Sequence, residues 1–197
     1  CAGAILTQIY EPLFIRNSFG YRPNKSAHGA VEACYSSLEN GSRENVVEID
    51  FSNFFNTIPH KKLMEILEKR IADKRFLGLI RRLLTGEILK STGEILVSEV
   101  GTPQGGIASP ILANIYLNEV LDQWFLENYA SYNNIIVRYA DDAVFFFKGK
   151  DDATKFTTEL KARVESYGIS LNEEKTQQLT LGKKDKGSFN FLGFTFY

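Results

Sequence analysis

The sequence predicts an α+β fold in which an antiparallel sheet is backed by helices on one side. Strand and helix patterns alternate along the 197 residues without an internal repeat or a Pro/Gly/Ser-rich linker. Residues 135–148 read as two β-rich runs around a tight turn, which is typical of a hairpin. With 44% hydrophobic and 24% charged residues, the composition excludes a disordered or low-complexity chain. The length favours one domain with a subdomain or long insertion.

The first half of the chain predicts one strand between helices. Ser26 is an N-cap candidate for a helix that Gly41 closes. Residues 46–51, VVEIDF, read as a buried strand. Apolar side chains at helical spacing predict two further helices, over 63–71 and 76–84.

The second half predicts strands and helices in turn. Residues 94–100, EILVSEV, read as a strand, and Ser109 at the N-cap with Pro110 at the first helical position starts a helix. After the hairpin, Asp151 or Asp152 caps a helix. That helix ends at Gly168, and two strands follow, near 178–181 and 189–197.

The charge is unevenly distributed. The formal net charge of −1 argues against a protein that coats nucleic acid through bulk positive charge. Residues 101–147, however, carry five acidic side chains and one basic side chain, Arg138. Such a surplus of carboxylates in an apolar stretch suits a divalent-metal site, while a solvated acidic face is the alternative.

Three aspartates are the candidate metal ligands. Asp50 ends the first buried strand, and Asp141 and Asp142 lie in the hairpin turn, 91 residues later. If the strand lies beside the hairpin, the carboxylates can bridge two divalent ions ~4 Å apart, the arrangement used for in-line phosphoryl transfer. Aspartates are also favoured in solvent-facing turns. Apolar residues flank this pair on both sides, which favours the metal site.

Cysteine usage and hydropathy predict the compartment. Cys1 and Cys34 form no metal-binding pattern and no disulfide scaffold, which favours a reducing compartment. No apolar run reaches the length of a membrane span, and the start lacks a signal-peptide pattern. We therefore expect an intracellular protein. The first residue is not Met and the last run is strand-like, so we also expect an excised piece of a longer polypeptide.

Six blocks resemble, in order, the successive motifs of reverse transcriptases, most closely those encoded by bacterial group II introns. The ordered set is specific, although any one block would be weak. The blocks are SFGYRPNKSAH (18–28), EIDFSNFFNTIPH (48–60), GTPQGGIASPILANIYL (101–117), RYADD (138–142), LNEEKT (171–176) and FLGF (191–194).

This resemblance implies a fold and a metal site. The fold would be a polymerase palm, an antiparallel sheet backed by helices, with a partial fingers subdomain. Asp50, Asp141 and Asp142 would hold two Mg²⁺ ions, with Mn²⁺ as an alternative, assisted by the backbone carbonyl of Phe51.

The resemblance also implies nucleotide contacts. Phe55 would be the steric gate that excludes a 2′-hydroxyl, although core packing would explain one of the pair Phe54 and Phe55. Gln104 and Gly105 would contact the nucleotide and template. Arg22 and Lys25 would be fingers residues, with Arg22 binding the triphosphate. Judged without the family, both would be solvated loop charges.

Two further roles are implied near the end of the chain. Lys175 would be a catalytic residue, the general acid for the leaving pyrophosphate, although a surface charge is the simpler interpretation. Phe191, Leu192 and Gly193 would form the primer grip, a role compatible with strand core.

The chain departs from the family pattern in two ways. Asn56 stands where a second Asp is common, and Pro59 replaces a polar residue before His60; His60 and His28 are expected to be structural or surface residues. The early fingers, thumb and maturase regions have no counterpart. Residues 1–197 are thus expected to be one domain fragment, with fingers and connecting helices at about 1–45 and 60–100 and the palm at 46–59 and 101–197.

The implied function is RNA-directed DNA synthesis linked to intron mobility and splicing, in a bacterial cytoplasm. The expected partners are a template or intron RNA, a DNA primer or target, and dNTPs, with no membrane; the sequence leaves monomer and dimer open. Two alternatives remain: an RNA-binding maturase platform with an idle polymerase site, and a stand-alone reverse transcriptase related to retrons or defence systems.

Overall fold

A computed structural model describes residues 2–39, 43–85, 88–89, 95–96, 100–102, 108–130, 133–182 and 187–197 of the chain. The α-helices of this part are α1 (Ala2–Tyr10), α2 (Ala27–Leu38), α3 (Phe54–Thr57), α4 (His60–Glu68), α5 (Lys74–Leu84), α6 (Ser109–Leu117), α7 (Gln123–Asn128) and α8 (Lys150–Ser166). A 3₁₀ turn at Glu11–Leu13 follows α1, and a π-helical turn at Asn118–Asp122 joins α6 to α7. Within the described ranges, every helix is too short or too polar to span a lipid bilayer.

The central feature is a four-stranded antiparallel sheet with strand order β4-β5-β1-β6. Its strands are β1 (Asn45–Ile49), β4 (Ile135–Tyr139), β5 (Asp142–Phe147) and β6 (Gln177–Thr180). Two small hairpins lie outside it, β2 (Ile88–Leu89) with β3 (Ile95–Leu96) and β7 (Phe189–Phe191) with β8 (Phe194–Phe196). The predicted strand β1 and the predicted β4–β5 hairpin are confirmed, and they are neighbours in the sheet.

Both faces of the sheet are covered. Val47 and Ile49 of β1 belong to the larger apolar core, which includes side chains of α1 and α4–α8. Val46 points to the opposite face and belongs to a second core formed with α2 and β7. The sequence predicted helices on one side, and the structure adds this second layer. The physical reason is β5, where Ala143–Phe147 are apolar and buried at every position, so that both faces require cover.

Of the three predicted N-caps, one agrees with the structure and two differ from it by one to three residues. The Ser26 side chain accepts a hydrogen bond from the Gly29 backbone N–H, which confirms it as the N-cap of α2. Helix α6 begins with Ser109 inside it, and Ala108 is the N-cap. For α8 the N-cap is Gly149, so Asp151 and Asp152 lie in the first turn, where their charges still favour the helix dipole.

The C-terminal strand prediction is corrected to a hairpin. Residues 189–197 were expected to form one strand, but the chain reverses at Leu192 and Gly193, whose φ angles are 52° and 83°. Two consecutive positive φ angles define the type I′ turn that suits the twist of a two-stranded hairpin. Of the strand predicted at 94–100, the structure shows the short β3, while residues 94 and 97–99 lie outside the described residues. Gly41, the predicted end of α2, also lies outside them.

Candidate active site

Asp50 and Asp142 lie side by side at one end of the sheet. The last pair of the β1–β5 ladder is Ile49 with Ala143, so the next residues in the antiparallel register are Asp50 and Asp142. The Asp50 backbone carbonyl accepts a hydrogen bond of 2.8 Å from the Asn172 N–H, which holds the end of β1 in place. The strand arrangement on which the metal-site prediction depends is therefore present.

Asp141 lies in the turn between β4 and β5. Tyr139 pairs with Asp142 across the hairpin, which leaves Ala140 and Asp141 as the turn residues. Ala140 has a φ of 55°, an unfavourable region for a residue with a Cβ atom. The backbone of Gly20 lies so close that a Cβ atom there would be 2.3 Å from the Ala140 nitrogen. Only glycine fits this approach.

Lys175 contributes the positive charge of the site. It lies in the loop between α8 and β6, and its Nζ atom is 2.8 Å from Oδ2 of Asp50. The hydrogen bond and the charge of Asp50 raise the pKa of Lys175. The ammonium therefore stays protonated beside the carboxylates, although its side chain is largely exposed.

The carboxylates influence one another electrostatically. The pKa of Asp142 is raised to about 6, first by desolvation and then by the negative charges of Asp141 and Asp50. Desolvation also raises the pKa of Asp141, and the charge of Asp50 adds to it. Lys175 opposes both shifts. The site therefore holds more negative charge than its one lysine neutralises, which favours binding of a further cation.

A cleft of about 320 Å³ opens beside these residues, and Asp50, Asp142, Lys175 and Leu192 line it. Glu48 also lines the cleft, and its carboxylate accepts a hydrogen bond of 2.5 Å from the Gln177 side chain. Desolvation raises the pKa of Glu48.

Glu48 is a site residue that sequence reasoning missed, although its position two residues before Asp50 on a strand was an available signal. Within the described part of the chain, no group of three or more His, Cys, Asp or Glu side chains is spaced closely enough to hold a metal ion.

The two neighbouring phenylalanines after Asp50 differ in burial. Phe54 is 2% exposed and belongs to the core, whereas Phe55 is half-buried and packs against the core from its edge. The Phe55 backbone carbonyl accepts a hydrogen bond of 2.7 Å from the Thr102 N–H. Gln104 and Gly105, which follow Thr102 closely in the sequence, lie outside the described residues.

The backbone carbonyl of Phe51 takes no part in the hydrogen bonds that fix this segment. Phe51 pairs with Leu171 in an isolated antiparallel bridge. The two hydrogen bonds of that bridge use the N–H of Ser52 and the carbonyl of Asp50, so neither engages the Phe51 carbonyl.

Arg22 and Lys25 are bonded within their own segment. The Arg22 guanidinium donates to the Glu11 carboxylate and to the carbonyls of Ile15 and Ser18, and its side chain is 6% exposed. Lys25 donates to the Arg16 carbonyl at 2.7 Å. Arg22 is therefore not a solvated loop charge, and it would have to leave these partners before it could bind a phosphate.

The hairpin that contains the predicted primer-grip residues borders the cleft. Phe191 is buried against the second core, and Leu192 extends into the cleft lining. Gly193 occupies the second turn position, and a Cβ atom there would meet no atom within 4 Å. The hairpin is thus placed beside the carboxylates by the side chain of Phe191 and by the turn geometry.

The residues that depart from the family pattern have structural roles. The backbone of Asn56 lies against Gly101, and Pro59 pairs with Val100 in an isolated bridge. His60 is buried, and one of its ring nitrogens lies 2.5 Å from the Gly101 carbonyl oxygen. His28 is exposed. The two histidines are thus a structural and a surface residue, as predicted.

Comparison with known proteins identifies a family. The family model described as "Reverse transcriptase (RNA-dependent DNA polymerase)" matches residues 3–196.

The match to curated relatives covers a smaller share of the relative than of this chain. An uncharacterized 91 kDa protein in the cob intron of Schizosaccharomyces pombe is 42% identical over 64% of this chain and 15% of its own length. Protein YkfC of Escherichia coli is 32% identical over 86% of the chain and 53% of its own length. The group II intron-encoded protein LtrA of Lactococcus lactis is 39% identical over 62% of this chain and 20% of its own length. The chain therefore spans about half or less of these relatives, which come from both bacteria and yeast.

Solved structures agree in fold. A telomerase from Candida tropicalis, in complex with a fragment of telomeric RNA, has a TM-score of 0.78 at 14% identity, covering 98% of this chain and 35% of the telomerase chain. An apo telomerase from the same organism gives a TM-score of 0.75 at 14% identity, with 98% and 38% covered. At such identities the likeness concerns the fold, and it bears out the predicted antiparallel sheet with helices.

Proposed function

This chain belongs to the reverse transcriptase family, and we propose that it is the catalytic part of an RNA-directed DNA polymerase that extends a primer 3′-hydroxyl with dNTPs. The observation that carries the proposal is the meeting of Asp50 with Asp141 and Asp142 at one end of the sheet. Asp50 and Asp142, 92 positions apart in the sequence, bring like charges to one cleft, and Asp141 lies next to Asp142 in the turn. Such a concentration of charge is costly unless a cation binds there.

Asp50, Asp141 and Asp142 are the residues that would hold divalent metal ions, with the Phe51 carbonyl as a further oxygen donor. The donor set fits Mg²⁺, which prefers hard oxygen ligands, and Mn²⁺ also suits carboxylates. When bound, two such ions would activate the attacking hydroxyl and stabilise the leaving pyrophosphate. Among the described residues these side chains are not spaced closely enough to hold an ion, and Asp50 is paired with Lys175, so metal binding would require the carboxylates to move closer together.

Lys175 is proposed as the proton donor of the reaction. Its Nζ atom carries a proton at neutral pH, as lysine ordinarily does, and Asp50 raises its pKa further. A protonated amine at the mouth of the cleft can pass this proton to an oxygen of the departing pyrophosphate. In the structure the same atom neutralises Asp50, so the lysine is already aimed at the reacting groups.

The remaining residues are proposed to position substrates. The half-buried ring of Phe55 would lie under the sugar and exclude a 2′-hydroxyl. Leu192, with Phe191 and Gly193, would hold the primer end beside the carboxylates, as the cleft lining supports. Arg22 and Lys25 would contact the triphosphate once Arg22 releases Glu11. Gln104 and Gly105 would complete the nucleotide site.

We also propose a group II intron context. The printed name of LtrA describes it as group II intron-encoded, and the yeast relative is located in an intron. By analogy, the template would be intron RNA, and the primer would be a DNA target. Residues 46–59 and 101–197 would be the palm, and 1–45 and 60–100 the fingers and connecting helices. A bacterial cytoplasmic origin stays a prediction, because relatives include yeast proteins.

Primer extension on an RNA template tests the proposal. The full-length protein should extend a DNA primer, and Asp141→Ala should abolish extension. Asp151→Ala is the matched control because Asp151 is exposed in the first turn of α8. If the wild type binds RNA but does not extend the primer, the polymerase assignment is wrong and an RNA-binding platform is the better account. If Asp141→Ala extends the primer as the wild type does, Asp141 is not part of the polymerase site.

A further inference from the structure

A fully buried ion pair lies behind the aspartate turn. The Nε and Nη2 atoms of Arg138 donate to the two carboxylate oxygens of Asp122 at 2.8 and 2.6 Å, and both side chains have 0% exposure. Removing two charges from water is expensive, and an apolar pair of similar volume is often as stable. General stability therefore gives little reason for this pair.

The third nitrogen of the same guanidinium reaches the turn itself. Nη1 of Arg138 donates to the Ala140 carbonyl at 2.7 Å and to Oδ1 of Asn114 at 2.9 Å. The Ala140 carbonyl belongs to the peptide group that joins Ala140 to Asp141. Arg138 therefore fixes the orientation of the peptide that immediately precedes a candidate metal ligand.

Asn114 holds the other side of the turn. Its Nδ2 atom donates to the Gly20 carbonyl at 2.7 Å, and Gly20 is the residue whose backbone abuts Ala140. A chain of buried hydrogen bonds thus runs from Gly20 through Asn114 and Arg138 to Ala140. These hydrogen bonds surround Ala140, the residue of the turn that has a positive φ.

The π-helical turn at Asn118–Asp122 helps to bring the acceptors together. In a regular α-helix, two residues eight positions apart, such as Asn114 and Asp122, would point about 80° apart, since each residue turns by about 100°. A π turn rotates the chain less per residue, which reduces this offset. Both side chains then face the same guanidinium. π-helical turns occur frequently at functional sites.

A strained backbone conformation persists only when its surroundings determine it. We propose that Arg138, together with Asn114 and Asp122, is a positioning residue that holds the Ala140–Asp141 peptide in its positive-φ turn, so that Asp141 and Asp142 are presented for cation binding. This inference rests on the proposed function, and it assigns to Arg138 no contact with substrate.

Arg43 provides a matched control. It is also a buried arginine, 8% exposed, and it donates to the Asn133 carbonyl, to Oδ1 of Asn133 and to the Ser37 carbonyl. It lies just before β1, at the end of the sheet opposite to Asp50. A loss of packing or buried hydrogen bonds should affect Arg43→Lys and Arg138→Lys alike, whereas a loss of turn geometry should affect only the second variant.

The experiment compares the full-length wild type, Arg138→Lys and Arg43→Lys. Lysine keeps the charge beside Asp122 but cannot bridge three acceptors as a planar fork does. Mn²⁺ binding is measured by the electron paramagnetic resonance signal of free Mn²⁺, and primer extension is measured in parallel. Cooperative thermal unfolding verifies folding. If Arg138→Lys does not fold, Asn114→Ala, which removes one acceptor and the bond to Gly20, replaces it.

We expect Arg138→Lys to bind Mn²⁺ about 10- to 100-fold more weakly, as is typical when a group that orients metal ligands is lost, and to need more Mg²⁺ for half-maximal extension. Arg43→Lys should match the wild type in both. The positioning role is overturned if a folded Arg138→Lys binds Mn²⁺ as tightly as the wild type, or if Arg43→Lys loses as much affinity as Arg138→Lys. In either case, primer extension by the wild type still supports the polymerase assignment. If the wild type does not extend a primer, the proposed function fails, and Mn²⁺ binding alone decides the role of Arg138; no Mn²⁺ binding by the wild type overturns both.

Discussion

The Nζ atom of Lys175 lies 2.8 Å from Oδ2 of Asp50, so the ammonium occupies the side of the cleft where the proposed metal ion would bind. The lysine and that ion would therefore compete for the same carboxylate. At the same time the lysine is the proposed proton donor. These two roles have opposite consequences for metal binding and for reaction rate, which makes them separable.

Replacing this lysine should tighten metal binding while it slows the reaction. In Lys175→Met the competing charge is gone, so Mn²⁺ should bind more tightly. Extension should fall about 100-fold, the usual effect of losing a general acid. Titration with Mn²⁺ and single-turnover extension measure the two quantities. Lys161→Met is the control, because Lys161 is exposed and pairs with Glu173 at the surface; a matching loss there would count against the role of Lys175.

The stability of the metal-free protein should depend on pH through Asp142. Its folded-state pKa is about 6, above the ordinary value of 3.8. A raised pKa means that the folded state binds the proton more tightly, so the stabilisation is complete below pH 3.8 and is lost as the pH rises through 6. We therefore expect the free energy of unfolding in EDTA to fall by about 1 kcal/mol over this range. The fall is smaller than the full pKa shift would give because water screens the exposed carboxylate.

Urea unfolding at several pH values measures this dependence. Asp142→Asn should flatten the profile, and saturating Mg²⁺ should do the same, since a bound cation favours the ionised carboxylates. A profile of Asp142→Asn that keeps the full slope of the wild type would assign the dependence to another group.

Substitution of Phe55 should change sugar selectivity rather than stability. In Phe55→Val, the smaller side chain leaves room for a 2′-hydroxyl, and we expect rNTP incorporation relative to dNTP incorporation to rise roughly 10- to 200-fold. Phe54→Leu is the control, since Phe54 is buried in the core and its substitution should cost about 1 kcal/mol of stability without a change in selectivity. Unchanged rNTP use by Phe55→Val would remove the steric gate from the account.

The turn between β7 and β8 should show a trade-off between stability and activity. Leu192 has a φ of 52° and precedes Gly193, whereas Asn-Gly is the preferred type I′ pair. Leu192→Asn should therefore stabilise the protein by about 0.5–1 kcal/mol, a rise in Tm of roughly 1–4 °C. Extension should weaken because the apolar side chain in the cleft is lost. A variant with a higher Tm and full activity would remove Leu192 from primer positioning.

The sequence predicted the parts of the site that depend on local patterns. The apolar runs around Asp50 and around the pair Asp141 and Asp142 predicted a strand and a hairpin, and their adjacency required only that the two be neighbours in the sheet. The β7–β8 turn was missed because Leu at a positive φ carries no sequence signal. The β4–β5 hairpin was predicted, but its turn residues are Ala140 and Asp141 rather than the two aspartates, because a positive φ at alanine is rare and carries no sequence signal.

The parts that were missed depend on tertiary contacts. Arg138 was noticed as the one base of an acidic stretch, but its partners Asp122 and Asn114 come from another element, and a π turn brings them together. The family resemblance placed Arg22 at the nucleotide, a role that stays a prediction, and nothing in the sequence pattern indicated that Glu11 would bind this arginine. Side-chain pairs between different elements are set by how those elements pack, so residue periodicity along the sequence does not predict them.

The most direct test of the central claim is single-turnover extension of a DNA primer on an RNA template by the wild type and by Asp50→Asn. This substitution keeps the size of the side chain and removes one charge from β1, far in sequence from the hairpin aspartates. Because loss of a metal ligand removes several kcal/mol of transition-state stabilisation, the rate should fall about a thousandfold while thermal stability changes little. Extension by Asp50→Asn at the rate of the wild type would show that the carboxylates of the two strands do not form one polymerase site.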